Sequence, residues 1–143
     1  MSFLKSMEIS SSALTAQRVR MDVIAENLAN ISTTRTADGE PYRRRYVVFQ
    51  QREGDTFASM LERATADSAG SGVRVTEIRE DTSPFKLDYN PEHPDANGEG
   101  YVQMPNVDLT VEMVDMMAAT RSYEANITAT NAIKSMALKA LEI

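Results

Sequence analysis

The last quarter of the chain, residues 108–143, most constrains the fold because it lacks Gly and Pro and keeps apolar residues at helical spacing throughout. One row advances by alternating steps of four and three residues, the spacing of a coiled-coil seam. Its members are Leu109, Met113, Met116, Thr120, Tyr123, Ile127, Thr130, Lys134, Ala137 and Leu141. A second row comprises Val111, Val114, Ala118, Ala125, Ala129, Ala132, Met136 and Ala140. At about 1.5 Å per residue the predicted helix is roughly 50 Å long, so it needs packing partners along its length.

A second helical pattern occupies residues 2–31 at the other end of the chain. Its central stripe recurs every seven residues, and a flanking stripe runs beside it. The central stripe consists of Met7, Leu14, Met21 and Leu28, widened by Ile24 and Ile31. Ser10, Ser11 and Ser12 are poor residues for a helix interior, so they predict a weak helix start or a cap nearby.

The middle of the chain has the composition of short strands separated by turns. Residues 42–50 are rich in aromatic and β-branched side chains, and residues 73–80 begin with strict alternation, so both segments predict strands. Residues 83–89 are a third extended candidate, whereas residues 55–66 predict a short amphipathic helix. Residues 90–106 are crowded with Pro and Gly, which indicates a connector without a periodic pattern of its own.

These patterns together predict an α+β fold, in which two long terminal helices form a coiled-coil-like hairpin around a small β-rich insert. Residues 1–34 and 106–143 are predicted to be the two halves of one helical assembly domain. Residues 35–105 are predicted to form the insert, which includes a variable loop at 52–72 and the Pro/Gly connector at 90–105.

The composition excludes several classes of protein. Aromatic residues make up only 6% of the chain and Trp is absent, so the apolar area rests on aliphatic residues and nine Met, which suit thin helix-helix seams. The net charge of -6 argues against nucleic acid as a partner. The absence of Cys excludes disulfides and thiolate metal sites. Without a basic leader or an apolar run of membrane length, we expect neither a cleaved signal peptide nor membrane insertion.

One segment of the connector resembles part of a calcium-binding loop. Asp95, Asn97 and Glu99 fall at the first, third and fifth ligand positions, and Gly100 falls at the sixth. The twelfth position holds Asn106, whose amide cannot chelate as a bidentate carboxylate does. We therefore interpret the segment as a turn-rich connector.

The only histidine, His93, lies between Glu92 and Asp95. An imidazole with two nearby carboxylates could bind zinc or act as a general base, which makes a metal-dependent hydrolase a remote alternative. A structural histidine is the preferred interpretation because no nucleophile motif, phosphate-binding loop or second His accompanies it. The sequence predicts no catalytic residue, no cofactor and no metal.

Arg43, Arg44 and Arg45 form the one basic run, with Tyr42 and Tyr46 on either side. Such a run could contact an anionic surface. We prefer the interpretation that these arginines lie on a strand beside the chain's own carboxylates.

The two terminal helices remain as the main candidate site. An antiparallel pair within one chain would use a single apolar stripe of each helix. Each helix carries nearly two stripes, so we expect other chains to pack against the remaining rows. A soluble coiled-coil adaptor is the alternative to a self-assembling subunit.

Three stretches carry a resemblance to a known family. They are residues 12–30 (SALTAQRVRMDVIAENLAN), residues 89–107 (YNPEHPDANGEGYVQMPNV) and residues 113–126 (MVDMMAATRSYEAN). In these stretches the chain resembles the axial proteins of the bacterial flagellum, which form its rod, hook and filament axis, and the second stretch is similar to rod members in particular. Residues 52–71 depart from the family pattern and resemble a variable insertion.

The resemblance implies a structural rod subunit that the flagellar type III apparatus exports and that assembles through its terminal helices into a hollow helical, torque-transmitting shaft. The implied location is the basal body, where the rod crosses the periplasm. The implied partners are other rod subunits, further copies of the chain and the export apparatus. The candidate assembly interface comprises Leu14, Met21, Ile24, Asn27, Leu28, Asn30, Leu109, Met113, Met116, Tyr123, Ile127 and Leu141, with Asn27 and Asn30 setting helix register.

Overall fold

The computed structural model describes residues 3–52 and 71–142. The described elements, in chain order, are α1 (Phe3–Ala29), β1 (Arg45–Gln51), β2 (Val73–Glu80), β3 (Lys86–Tyr89), β4 (Tyr101–Met104) and α2 (Leu109–Leu141). Two terminal helices with small antiparallel sheets between them confirm the α+β class. The helix predicted at 55–66 and most of the variable loop lie outside the described residues. Neither α1 nor α2 combines the length and apolar character that a bilayer crossing requires.

The two helices pack against each other in antiparallel orientation. Asn27 near the end of α1 bonds to Glu112 in the first turn of α2, whereas Arg18, more than two turns earlier, bonds to Tyr123. Ala16, Val23, Ile24 and Ala119 are buried. The core is therefore a thin seam of small and medium-sized side chains, in keeping with the low aromatic content.

The start of α2 agrees with the helix predicted from residue 108. The side chain of Asp108 accepts hydrogen bonds from the backbone N–H groups of Thr110 and Val111, so it satisfies two donors that lack partners within the helix. These two bonds, followed by the charge of Lys86, lower the pKa of the Asp108 carboxyl below its ordinary value.

The start of α1 lies close to residue 2, where the predicted helical pattern begins, but the three serines neither start nor cap the helix. The helix begins at Phe3 and continues through the three serines. Ser12 donates its hydroxyl to the Ile9 carbonyl, and its Oγ accepts the backbone N–H of Val73. A tertiary contact with β2 therefore makes the serine suitable for the helix interior. Gly72 permits this approach because it has a φ of +103°, and a Cβ there would lie 2.3 Å from Ser12 Oγ.

The described part of residues 35–105 contains two separate two-stranded sheets. β1 pairs with β2 in antiparallel register, with an irregularity between Val48 and Phe49, and β3 pairs with β4. The predicted strand at 73–80 has the observed bounds, whereas the first strand begins at Arg45 instead of Tyr42. The prediction of a connector without strand structure at 90–106 was wrong over Tyr101–Met104. Gly100 precedes this strand with a φ of +82°, and Val102 within it is buried.

Candidate assembly surface

The face of α2 that lies toward α1 forms a row of alternating four- and three-residue steps. We call it the inner row, and it comprises Glu112, Met116, Ala119, Tyr123, Asn126, Thr130, Ile133 and Ala137, each buried or part-buried. Four of these residues also belong to the predicted first row. Four other members of the predicted first row, at positions 113, 120, 127 and 134, each follow an inner-row residue by one position. Leu109, Met113, Ile127 and Leu141 of the predicted row are exposed.

This offset arises because the inner row contains polar residues. Glu112 is fully buried, and Asn126 is part-buried with its amide donating to the Ser122 carbonyl. A search for apolar residues passes over both positions and chooses their neighbours Met113 and Ile127. Charged or amide side chains are suitable for a seam only when their hydrogen bonds are satisfied.

The second predicted row of α2 faces away from α1. We call it the outer row, and all of its eight residues are exposed: Val111, Val114, Ala118, Ala125, Ala129, Ala132, Met136 and Ala140. Among its larger members, Val111 is 51% exposed, Val114 56% and Met136 62%. The outer row is therefore an apolar stripe that the chain leaves uncovered, interrupted once, between Ala118 and Ala125, by the polar residues Arg121 and Ser122.

The outward side of α1 has a different character. Its exposed positions between Glu8 and Asp22 are Glu8, Ser11, Thr15, Arg18 and Asp22, all polar. The predicted assembly residues of α1 lie further inward, since Ile24 and Asn27 are buried and Leu14, Met21, Leu28 and Asn30 are part-buried. Exposed apolar surface on the described helices is thus concentrated on α2 and at the start of α1, at Phe3 and Leu4.

A polar junction joins both helices to the first strand, with Asn27 at its centre. The Asn27 Nδ2 group donates to the Arg45 carbonyl at 2.8 Å and to Glu112 Oε2 at 3.1 Å. Its Oδ1 atom accepts the Arg45 N–H and the Tyr42 hydroxyl, both at 2.9 Å. Asn27 is only 1% exposed, and these four bonds satisfy the whole hydrogen-bonding capacity of its amide.

Arg44 supplies the positive charge of the same junction. Its Nε donates to Glu112 Oε1 at 2.5 Å, and its guanidinium also reaches Asp115 at 3.3 Å. Arg20 of α1 pairs with the other oxygen of Asp115 at 3.0 Å. The buried carboxylate of Glu112 therefore has an ionic partner on one oxygen and an amide donor on the other, as a buried charge requires.

Two further side chains close the junction. Asn106 accepts the Arg44 N–H through Oδ1 and donates through Nδ2 to the Asp81 and Ser83 carbonyls. Burial, followed by the nearby Glu26 carboxylate, raises the pKa of Tyr42 to about 12. The Tyr42 hydroxyl consequently stays protonated at neutral pH and remains a donor to Asn27.

Two of the three arginines in the basic run, Arg44 and Arg45, pair with the chain's own carboxylates as the preferred interpretation stated, although only Arg45 lies on a strand. Arg44 contacts carboxylates of α2, Arg45 bonds to Glu26 at 3.0 Å, and the Arg43 guanidinium lies 4.2 Å from the centre of the Phe85 ring. The three neighbouring arginines therefore point to three different parts of the molecule. They do not form one basic patch.

The segment that resembled a calcium loop forms turns. Asn97 Oδ1 accepts the N–H groups of Glu99 and Tyr101, and the Asp95 carboxylate pairs with Arg35 at 2.5 Å. His93 Nδ1 accepts the Asp95 N–H at 3.1 Å. Within residues 3–52 and 71–142, no group of three His, Asp or Glu side chains is placed to hold a metal ion.

The surface can now be compared with known proteins. A model of flagella basal body rod proteins matches residues 7–35, and a model of the C-terminal part of the flagellar basal body rod FlgEFG proteins matches residues 99–143. The flagellar basal-body rod protein FlgC of Bacillus subtilis is 56% identical over 149 aligned positions, which cover 100% of this chain and 99% of that protein. FlgC of Borreliella burgdorferi is 46% identical over 100% of this chain and 98% of that protein, and FlgC of Escherichia coli O6:H1 is 44% identical over the same shares.

The chain belongs to the FlgC family of flagellar basal-body rod proteins. Family membership confirms the resemblance seen in the sequence, and it makes the chain a structural rod subunit of the flagellar basal body. FlgC proteins are structural, so the chain is not an enzyme, and the hydrolase alternative around His93 is set aside.

The FlgC family match and the junction overlap in sequence. Residues 7–35 and 99–143 contain all twelve predicted assembly residues, and they also contain Asn27 and Glu112. Arg44 and Tyr42 lie between the two matched stretches. Sequence reasoning identified Asn27 as a candidate but missed Glu112, because a glutamate in the first turn of a helix is ordinarily explained by the helix dipole.

Proposed function

We propose that this chain is exported by the flagellar type III apparatus and assembles through its terminal helices into the proximal rod, a hollow helical shaft that crosses the periplasm and transmits torque. Membership in the FlgC family supports the rod, and the exposed outer row of α2 supports assembly through the helices. Residues 1–34 and 106–143 act in this proposal as one assembly domain, with residues 35–105 as an insert. The family relationship favours this function over a soluble adaptor.

The observation that carries the proposal is the apolar outer row. Eight positions of one helix face, with one gap between Ala118 and Ala125, are Ala, Val or Met, and all are exposed in the isolated chain. Exposed apolar stripes of this kind mark surfaces on which another chain packs. Small side chains also allow close approach of a neighbouring helix, so we propose that helices of adjacent rod subunits cover the outer row.

The twelve predicted assembly residues divide into two roles in this proposal. Leu109, Met113, Ile127 and Leu141 are exposed and contact neighbouring subunits directly. Ile24 and Asn27 are buried, and the rest are part-buried, so they act by holding α1 and α2 together as a coiled-coil-like hairpin. Asn30, which bonds to the Glu26 carbonyl at the end of α1, contributes in the same indirect way.

Assembly is proposed to complete the order of the helices. A long helix with exposed apolar rows gains little stability until those rows are packed. We therefore expect the terminal segments to be partly disordered in the free subunit at their ends away from the polar junction, and to become fully helical on incorporation. Circular dichroism checks this: helicity that rises on polymerisation supports the rod, whereas a fully helical, cooperatively melting monomer favours the adaptor.

Charge substitutions on the outer row test the proposed assembly. Ala132→Glu places a carboxylate within the row, and Ile127→Asp does so at an exposed position predicted to contact a neighbour. Asn131→Glu is the matched control, since Asn131 is exposed and adjacent to Ala132 but outside the row. Each variant is expressed in a strain lacking its own FlgC, and incorporation is measured in purified basal bodies together with swimming.

We expect Ala132→Glu and Ile127→Asp to abolish incorporation and motility, while secretion of the subunit continues. Asn131→Glu is expected to assemble normally. Leu28→Asp is expected to block incorporation as well and to leave the insert folded, but through weaker pairing of α1 with α2. Normal rods containing Ala132→Glu and Ile127→Asp would refute the proposal that α2 packs on its neighbours through these positions.

A further inference from the structure

The side chain of Asn27 bonds to residues of the polar junction that lie outside α1: Glu112 of α2, and Tyr42 and Arg45 at the start of the insert. It belongs to α1, bonds to Glu112 of α2, and receives the Tyr42 hydroxyl from the segment before β1. It also bonds to both the N–H and the carbonyl of Arg45, the first residue of β1, as a neighbouring strand would. A single amide thus connects both terminal helices with the point at which the insert begins.

We infer that Asn27 is a positioning residue that couples the pairing of the terminal helices to the docking of the insert. An amide suits this position because it provides two donor hydrogens and an acceptor oxygen in one plane. An aspartate would provide no donor for the Arg45 carbonyl and would set a second carboxylate against Glu112. An apolar residue would leave the backbone of Arg45 and one oxygen of Glu112 buried without partners.

The anchoring of β1 supports the coupling. The N–H groups of its first residue and of the preceding Arg44 are held by side chains outside the sheet, since Asn106 accepts from Arg44 and Asn27 from Arg45. The Arg44 side chain is held in turn by Glu112. The start of the insert therefore takes its position from α1 and α2 together. Separation of the helices removes the Glu112 carboxylate from both Asn27 and Arg44.

The coupling has a consequence for assembly that rests on the proposed function. If the helices pair fully only within the rod, the insert acquires its fixed orientation at the same step. Asn27 would then convert helix packing around the shaft axis into a defined position of the insert. The coupling itself is testable in the free, full-length chain, independently of rod formation.

A double-mutant cycle in the full-length chain tests the inference. The variants are Asn27→Asp, Glu112→Gln and the combination of the two, which exchanges the amide and the carboxylate. Amide hydrogen exchange of Arg45, measured by NMR, reports the junction. Exchange at Asn90, whose N–H bonds to the Gly100 carbonyl in the separate hairpin, reports opening elsewhere in the chain. Asn30→Asp serves as a control because the Asn30 side chain bonds only within residues 26–33.

We expect Asn27→Asp to speed Arg45 exchange by about tenfold or more through local opening, with little change at Asn90. Glu112→Gln is the milder change and is expected to speed it severalfold, because glutamine has only one acceptor oxygen. The combined variant should exchange more slowly than the product of the single effects predicts, since the exchanged pair forms a hydrogen bond again. Asn30→Asp should leave Arg45 unchanged.

Two results would overturn the inference. If the effects of the single changes multiply in the combined variant, Asn27 and Glu112 are not coupled. If Asn90 exchange rises as much as Arg45 exchange in every variant, including the milder Glu112→Gln, the residues contribute only to global stability. Normal rod incorporation of the Ala132→Glu variant would refute the proposed role of the outer row in assembly, and it would leave the coupling between Asn27 and Glu112 unaffected.

Discussion

The inner and outer rows of α2 differ in a way that reverses the usual plan of a soluble helix. Half of the inner row, which faces α1, is polar, and it includes the fully buried Glu112. The outer row is apolar at all eight positions and exposed at all of them. A helix that served only its own chain would bury the apolar face and expose the polar one. Within the chain, the buried hydrogen bonds of Glu112 add specificity to a thin apolar seam, whereas the outer row is left uncovered for the packing of neighbouring chains that we propose.

Substitutions on the two rows of α2 are expected to have different effects. Changes at the inner row and at the polar junction should lower the stability of the free subunit. Changes at the outer row should leave that stability unaltered and act only on assembly.

Arg44→Ala is expected to have the largest effect. It leaves the carboxylate of Glu112, which is 0% exposed, without its ionic partner inside the protein. Breaking a buried pair in this way costs about 3–5 kcal/mol of unfolding free energy. Urea denaturation followed by circular dichroism measures the loss. Arg43→Ala is the matched control and should cost less than about 1 kcal/mol, because Arg43 stacks on the Phe85 ring without a buried carboxylate.

Equal losses of unfolding free energy in Arg44→Ala and Arg43→Ala would contradict the prediction that the junction contributes more stability than its surroundings. The double variant Arg44→Ala with Glu112→Leu tests whether the loss comes from the unpaired charge of Glu112. Replacement of both partners by apolar groups removes the uncompensated charge, so this variant should be more stable than Arg44→Ala alone.

Alkaline pH is expected to weaken the junction through Tyr42. Its pKa of about 12 in the folded chain exceeds the ordinary value of 10.0, so the folded chain holds the phenolic proton more tightly than the unfolded chain. The resulting stability is fully present below about pH 10 and is lost as the pH rises toward 12, a loss of about 2–3 kcal/mol. Tyr42→Phe lacks this proton, and its unfolding free energy should fall less over the same window. Parallel pH curves for the two proteins would contradict the assigned cause.

Ala119→Leu tests the tightness of the inner row. Ala119 has no exposed surface, so the larger side chain forces α1 and α2 apart at about 1–3 kcal/mol of unfolding free energy. Ala118→Leu, one position away on the exposed outer row, should change stability by less than about 0.5 kcal/mol. A similar loss in both variants would show that the two faces of α2 are not as different as their exposure indicates.

The sequence predicted the positions of helices and strands better than the contacts between them. The start of α2 near Asp108 and the strand at 73–80 followed from helical spacing and from alternation, which are local signals. The strand Tyr101–Met104 was missed because the surrounding Gly and Pro suggested only turns. The sequence did not reveal the inner row, because it contains the polar residues Glu112 and Asn126, and the partners of Glu112 lie far away in sequence. Asn27 and Glu112 are separated by 85 positions, and no periodicity within either helix reveals that they bond.

In the candidate site, too, features set by local spacing were predicted, whereas contacts between distant residues were not. The outer row of α2 could be identified from spacing alone, and it is the stripe that the structure leaves exposed. The role of the basic run could be assigned only in general terms, as pairing with the chain's own carboxylates. Which arginine enters the junction depends on the direction in which each side chain leaves the strand start, and that direction follows from the three-dimensional packing.

Met136→Gln is expected to have the smallest effect on the free subunit. Met136 lies on the outer row near the end of α2 and is 62% exposed, so the substitution removes little buried area and preserves side-chain length and helix propensity. The unfolding free energy should change by less than about 0.5 kcal/mol. Incorporation into rods should nevertheless fall, because the same amide would be desolvated against a neighbouring subunit without a partner. A large loss of stability in the free subunit would show that the outer row is already covered within the chain, and the contrast between the two faces of α2 would then no longer explain assembly.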